Sequence, residues 1–315
     1  MIGPSAMGFP CRWIVWEIEM LREKSVKGKL QLWLLVLPGL LVFVFFTVYP
    51  IAKLFAMSFF EWNFGSMFDQ KYIGLSNYAT VFKDPTFSIT FVNTLLYTLI
   101  TVPAQMAIGL LVAWLINGIK RFSVTFRVIN YLPVITSWVI ASLVFKYCFN
   151  TEGLLNYFLT EVIHVSKTNI RWLDSRATGL AVAMILGTWK GVGWNMVVFL
   201  AALQQVPKDL YEAAEMDGAG SWRKFFSITI PQIVPTILFA WVMLTIGGFN
   251  VYTSIKLMTG GNPVHQTDTV LTWMYFKAFN QGEFGYAAAL SFVIAVVLAV
   301  LAVFQFKAMK RKEAA

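Results

Sequence analysis

Of 315 residues, 58% are hydrophobic, 16% aromatic and only 13% charged, about half the charged share of a soluble globular domain. Long uncharged runs exclude an ordinary cytosolic enzyme and mark lipid as the solvent. The net charge of +9 gives no case for nucleic acid, because Lys and Arg sit in short clusters between apolar runs, where membrane topology accounts for them.

The chain opens on a stretch that includes Gly3, Pro4 and Pro10 and has no clear helical period. Glu17 and Glu19 break its apolar patch, so it does not read as a signal peptide. Met20, just before a basic flank, is a candidate start of translation, and residues 1–29 are expected to form a cytoplasmic tail. Leu30 to Ala52 is then free of charge for 23 residues, about 35 Å of helix at about 1.5 Å per residue, enough to cross a hydrocarbon core of roughly 30 Å. Pro85 to Ile119 supplies a second span and Val128 to Phe145 a shorter third. Ala177 to Leu203, interrupted by Lys190, is the fourth. Phe225 to Ile255, entered through Pro231 and Pro235, holds the fifth, and Phe284 to Phe306 is the sixth. The expected fold is an all-α polytopic membrane protein with six transmembrane helices. One domain covers residues 30–306, and residues 307–315 form a second cytoplasmic tail.

Alternate sides of these spans differ in positive charge. Fifteen Lys and Arg, from Arg12 to Lys312, fall on the side of the termini and nine on the other, in longer loops. Short positively charged loops resist translocation, so both termini are expected in the cytoplasm. A membrane enzyme would need acids, bases, nucleophiles or metal ligands within the spans. No Asp or Glu lies in any of the six. Cys11 and Cys148 are too few and too distant for a disulfide framework or metal site, and His164 and His265 read as solvated loop residues. No phosphate-binding GxxxxGK[ST] loop is present. The chain is expected to be no enzyme, without metal or cofactor of its own; if ATP drives it, a partner subunit binds the nucleotide.

The most informative segment is the cytoplasmic loop 206–231. Pro207, early acids, strong helix formers and Gly218 describe a short helix of about three turns with a left-handed stop. A second helix start is expected with Ser221 as N-cap. Ala213 and Ala214 carry little bulk, so another protein's surface can approach closely. Glu212-Ala213-Ala214, then three residues, Gly218, nine residues and Ile228-Thr229-Ile230-Pro231, resembles the EAA signature of ABC importer permeases, E-A-A-x3-G-x9-I-x-L-P, departing only at Ile230. Leu210-Tyr211 before it and Asp217-Gly218-Ala219 after it resemble the maltose-type and multiple-sugar branch. Tyr49-Pro50, Leu132-Pro133, Leu257 to Gly261 and Phe284 to Ala289 extend the likeness over about residues 30–311.

The resemblance implies a prokaryotic cell-membrane importer of several chains. This permease and a second homologous permease subunit would form the pathway, a cytoplasmic ATPase dimer would bind ATP, and an extracytoplasmic solute-binding protein would deliver a sugar. Glu212, Ala213, Ala214, Asp217 and Gly218 would couple to an ATPase. Substrate contacts in the family point here to Trp138, Gly187, Trp189, Lys190, Gly191, Asn250 and Tyr252. An ionisable group at mid-bilayer costs roughly 2.5 to 3.5 kcal/mol and favours a wet cavity, which makes Lys190 the leading candidate. The same lysine could instead pair with a backbone carbonyl. The tryptophans could pack or face lipid, and Asn93, Asn195 and Asn250 could join helices. Another small polar solute, such as a glycerol phosphate, is the alternative cargo. A secondary transporter would call for intramembrane carboxylates or repeated halves, and neither is visible.

Overall fold

A computed structural model describes residues 26–66, 70–119 and 121–313. The proposed start at Met20 and most of the N-terminal tail lie outside them. The chain divides into two units, residues 1–57 and 58–315.

In the first unit, α1 (Val26–Phe43) continues through a single π-helical turn, Val44–Val48, into α2 (Tyr49–Met57). The helix is already in place at Val26, ahead of the expected boundary at Leu30. From Trp33 to Met57 it has the length and apolarity of a membrane span, with none of its most apolar window buried. Phe45 stacks on Tyr49 at 6.2 Å between ring centroids.

The second unit opens with a small hairpin, β1 (Phe60–Glu61) antiparallel to β2 (Lys71–Tyr72), with Phe60 opposite Tyr72. Helix α3 (Ser76–Lys83) leads into α4 (Pro85–Gly118), which begins as its sequence requires: Asp84 accepts from the Thr86 N–H at 2.9 Å and Pro85 occupies the first turn. Next come α5 (Ser123–Ile135) and α6 (Trp138–Cys148), short α7 (Leu154–Tyr157), and α8 (Arg176–Leu203). The coupling loop holds α9 (Lys208–Met216) and α10 (Ser221–Lys224). A π-helical turn Phe225–Thr229 and α11 (Ile230–Gln232) then lead to α12 (Val234–Phe249). Finally come α13 (Thr253–Met258), α14 (Val270–Tyr275) and α15 (Phe284–Glu313).

Five segments among the described residues are long and apolar enough to cross a membrane: Trp33–Met57, Pro85–Gly118, Arg176–Leu203, Val234–Met258 and Phe284–Ala308. The third expected span is not one straight helix. It is the pair α5 and α6, bent by 89°. Ser137 caps α6 by accepting from the Val139 N–H at 3.3 Å, so the break has a helix-start signal of its own. The fifth span, expected within Phe225–Ile255 and entered through Pro231 and Pro235, begins at Val234 with Pro235 in its first turn, after Ile233 leaves helical geometry. The last helix continues well beyond Phe306. Gly220, not Ser221, takes the N-cap position of α10.

The core of this unit is the pairing of α4 with α8. Near the coupling loop, Ala113, Ile116, Met196, Phe199 and Leu203 form one buried cluster with Ile233 and Ala240. A second joins Val81, Phe87, Trp273, Tyr286 and Leu290. Polar knots fasten the loops at that end. Asp84 accepts from the Trp273 indole at 3.0 Å and the Tyr286 hydroxyl at 2.7 Å. Buried Asn93 donates to the carbonyls of Gln266 and Asp268, both at 2.7 Å, and accepts from Arg176 Nε at 2.9 Å. His265 is no free loop residue: its Nδ1 lies 2.7 Å from Asp268 Oδ2, and its ring packs on Trp273 and Phe276.

Candidate functional site

Two places collect the residues the sequence singles out. The first is the coupling arm. Helix α9 exposes Glu212 and Ala213, with Met216 89% exposed at its end. Gly218 follows with φ +73°, the left-handed conformation expected at the stop, and nothing lies within 4 Å of where its Cβ would be. The Gly218 N–H donates to Glu215 O at 3.0 Å and the Ala219 N–H to Ala214 O at 2.8 Å, which closes the helix end. Two contacts fix α9 to the return segment. The hydroxyls of Tyr211 and Thr229 lie 2.9 Å apart, and Lys224 Nζ donates to Glu215 Oε1 at 2.6 Å. Below them, Trp114 from the end of α4 packs on Trp222 and Phe225 at 5.4 and 5.1 Å. The arm is therefore joined through aromatic rings to the α4 and α8 core, while its outer face stays bare.

The second place is the middle of α8. Trp189 is 42% exposed and, with Asn130, Pro133 and Thr188, lines a cleft of about 800 Å³ between α4, α5 and α8. Lys190 is buried and is not among the residues lining that cleft. Its Nζ donates to Pro133 O at 2.7 Å and to Thr136 O at 2.5 Å, and sits 4.9 Å from the Trp138 ring centroid. A cation over an indole face is electrostatically favourable. Of the two readings open to Lys190, the carbonyl pairing is the one observed.

The glycines flanking it have a packing reason. A Cβ at Gly187 would stand 2.1 Å from the Tyr97 hydroxyl, and one at Gly191 2.0 Å from Gln105 Oε1. Gln105 also donates to Gly187 O at 3.2 Å. Both notches let α4 approach α8 closely. Asn250 is exposed just after α12 and donates to Ile246 O at 3.0 Å; Tyr252 rests on Tyr275 at 5.1 Å between centroids. Neither lines the cleft beside Trp189. Asn195 donates within its own helix, to Gly191 O at 2.9 Å, rather than across helices.

Residues that sequence reasoning missed include Gln105, Asn130 and Asn156. An amide within an uncharged run, as at Gln105 and Asn130, was the available signal. Asn156 gave none, since asparagine in a loop is ordinary.

Residues 90–311 match the family described as "Binding-protein-dependent transport system inner membrane component". A lactose transport system permease protein of Rhizobium radiobacter is 33% identical over 285 residues, spanning 89% of this chain and 94% of that protein. An arabinooligosaccharides transport system permease protein of Bacillus subtilis is 33% identical over 290 residues, 91% of this chain and 90% of the relative. Among solved structures, a chain of a bacterial alginate ABC transporter, crystallised with its alginate pentasaccharide-bound periplasmic protein, superposes with TM-score 0.78 at 25% identity, covering 90% of this chain and 96% of that one.

Proposed function

The chain belongs to the binding-protein-dependent transport system inner membrane component family and is an ABC importer permease, and from that premise we propose that its cargo is a sugar or short oligosaccharide. It forms half of the pathway with a second permease subunit. Two cytoplasmic ATPase subunits bind the ATP, and an extracytoplasmic binding protein delivers the solute. Both termini and the coupling arm face the cytoplasm.

The observation that carries this reading is the bare face of α9, with Glu212 exposed and Gly218 turning the chain back, on a base of Trp114, Trp222 and Phe225. Push or pull on α9 reaches α4 directly through that base. The relatives supply the cargo class: lactose, arabinooligosaccharides and alginate are all carbohydrates. Lys190 argues for a sugar over a phosphate ester, because its ammonium is already committed to two carbonyls and an indole face. Trp189 offers the apolar face on which a sugar ring can lie.

The test is uptake of a panel of labelled sugars by the four-subunit complex in proteoliposomes with its binding protein. At least one carbohydrate is expected to stimulate ATP hydrolysis, and a glycerol phosphate to give none. If Glu212 makes a charge-assisted contact with the ATPase, Glu212→Ala removes ~1.5 to 3 kcal/mol, and stimulated turnover should fall by roughly tenfold or more in complexes that still assemble. Wild-type turnover in that variant would remove the coupling role; stimulation by the phosphate ester alone would remove the sugar.

A further inference from the structure

We infer that Lys190 is the pin of the α5–α6 elbow, a positioning residue for the transport step and not a contact for the solute. The inference rests on the permease reading above, but its structural core can be tested apart from it.

A helix that ends inside a membrane leaves carbonyls with no water to accept from. Helix α5 ends at Ile135, and its last turn contains Pro133. The carbonyl of Leu132 is met by the Thr136 hydroxyl at 3.0 Å. Those of Pro133 and Thr136 are met by Lys190 alone among the described residues, at 2.7 and 2.5 Å. One ammonium thus satisfies a carbonyl within the end of α5 and another in the link to α6. It also lies 4.9 Å from the ring of Trp138, the first residue of α6. Three attachments from one side chain of α8 fix both arms of an 89° bend.

The two arms have different ties to α8. Helix α5 is pressed against it at Gly193, where a Cβ would meet Asn130 O at 2.3 Å. Helix α6 leans on Val182 and Leu186 through Ala141, and on Trp189 through Phe145, 5.6 Å between centroids. Pro133 belongs both to the elbow and to the cleft that Trp189 lines. A change of angle at the elbow therefore changes the wall of the cleft, and Lys190 sets that angle. Its ammonium is spent on protein groups, so it does not read the solute.

The test uses the assembled importer in nanodiscs. Cys11 and Cys148 are replaced, and spin labels are placed through Val128→Cys and Val144→Cys, exposed positions on either arm. With Lys190 the distance distribution should be narrow. Lys190→Met, of similar length but with no donor, should broaden or shift it, and Lys190→Arg should restore it. In turnover, Lys190→Met should lower the maximal sugar-stimulated ATPase rate about tenfold while leaving half-saturation by loaded binding protein within about twofold, and Lys190→Arg should recover most of the rate. An unchanged distance in Lys190→Met overturns the pin. So does an unchanged distance accompanied by a raised half-saturation, the signature of a solute contact. Should Lys190→Met fail to assemble, Lys190→Gln keeps an amide donor group but loses the charge and should show partial broadening; an unbroadened distribution there overturns the inference equally. The distances need no transported solute. If no sugar stimulates hydrolysis, the cargo reading fails while the pin is still decided.

Discussion

Gln105 fills the space that glycine leaves at position 191, and Tyr97 does the same at Gly187. Family likeness assigns both glycines to the solute pathway, yet their immediate partners are side chains of α4, about ninety residues away along the chain. No local pattern carries that information, because which side chain fills a notch is a property of how two helices cross. Gly218 was legible for the opposite reason. Its left-handed φ follows from its position after a helix former run, so sequence alone sufficed. Gly191→Ala puts a methyl 2.0 Å from Gln105 Oε1, and such overpacking typically costs about 1–3 kcal/mol. The purified complex should therefore melt at lower temperature. Adding Gln105→Ala removes the obstructing amide, so the double variant should be more stable than Gly191→Ala alone, a coupling that a thermal-shift double-mutant cycle measures. If the two substitutions simply add, the notch is not where the strain lies.

Uniform apolarity hid the break between α5 and α6. Val128 to Phe145 is free of charge, and composition does not distinguish a straight span from a bent one. Pro133 and the capping serine at 137 were the signs of a stop and a restart, as proline and N-cap signals are elsewhere. The coupling arm, in contrast, was readable almost residue by residue, because its helix is short, polar and bounded by Pro207 and Gly218. The outer loop between α6 and α8 carries no comparable signal of its organisation. Its organiser is Asn156, 1% exposed, which donates to the carbonyls of Asn150, Thr151 and Ile170 and accepts from the Ile170 N–H and the Trp172 indole. Asn156→Ala strands those groups at roughly 1–3 kcal/mol for each one left buried and unpaired, so the loop should open rather than stay closed. Trypsin cleavage at Lys167 and Arg171 should quicken in the folded complex, with α4 and α8 still protected. Cleavage at the wild-type rate would mean that the loop is held by its apolar contacts and not by this amide.

Across the molecule, the charge pattern and the bent pair meet in one question, namely on which side each loop lies. Fifteen basic residues against nine would put both termini and α9 in the cytoplasm if the α5–α6 pair crosses the bilayer once. An 89° bend would also suit a segment that dips in and returns to the side it came from. The two cases differ in a way that three cysteines can report, on a background without Cys11 and Cys148. Val124, at the start of α5, is 68% exposed; Lys167 lies in the exposed outer loop; Met216 ends α9. Lys167 and Met216 are separated by α8 alone and so must label from opposite sides. If α5 and α6 together cross, Val124→Cys reacts with an impermeant maleimide only in inverted vesicles, as Met216→Cys does once the ATPases are stripped away, while Lys167→Cys reacts in intact cells. If the pair re-enters, Val124→Cys joins Lys167→Cys, and the terminal charge count no longer fixes the sidedness of everything before it. Crossing is the expected result, because Arg121 and Arg127 flank the start of α5 and positive clusters of that kind are retained on the cytoplasmic face. Rebinding of the ATPases should then protect Met216→Cys alone of the three, since α9 is the segment proposed to dock them.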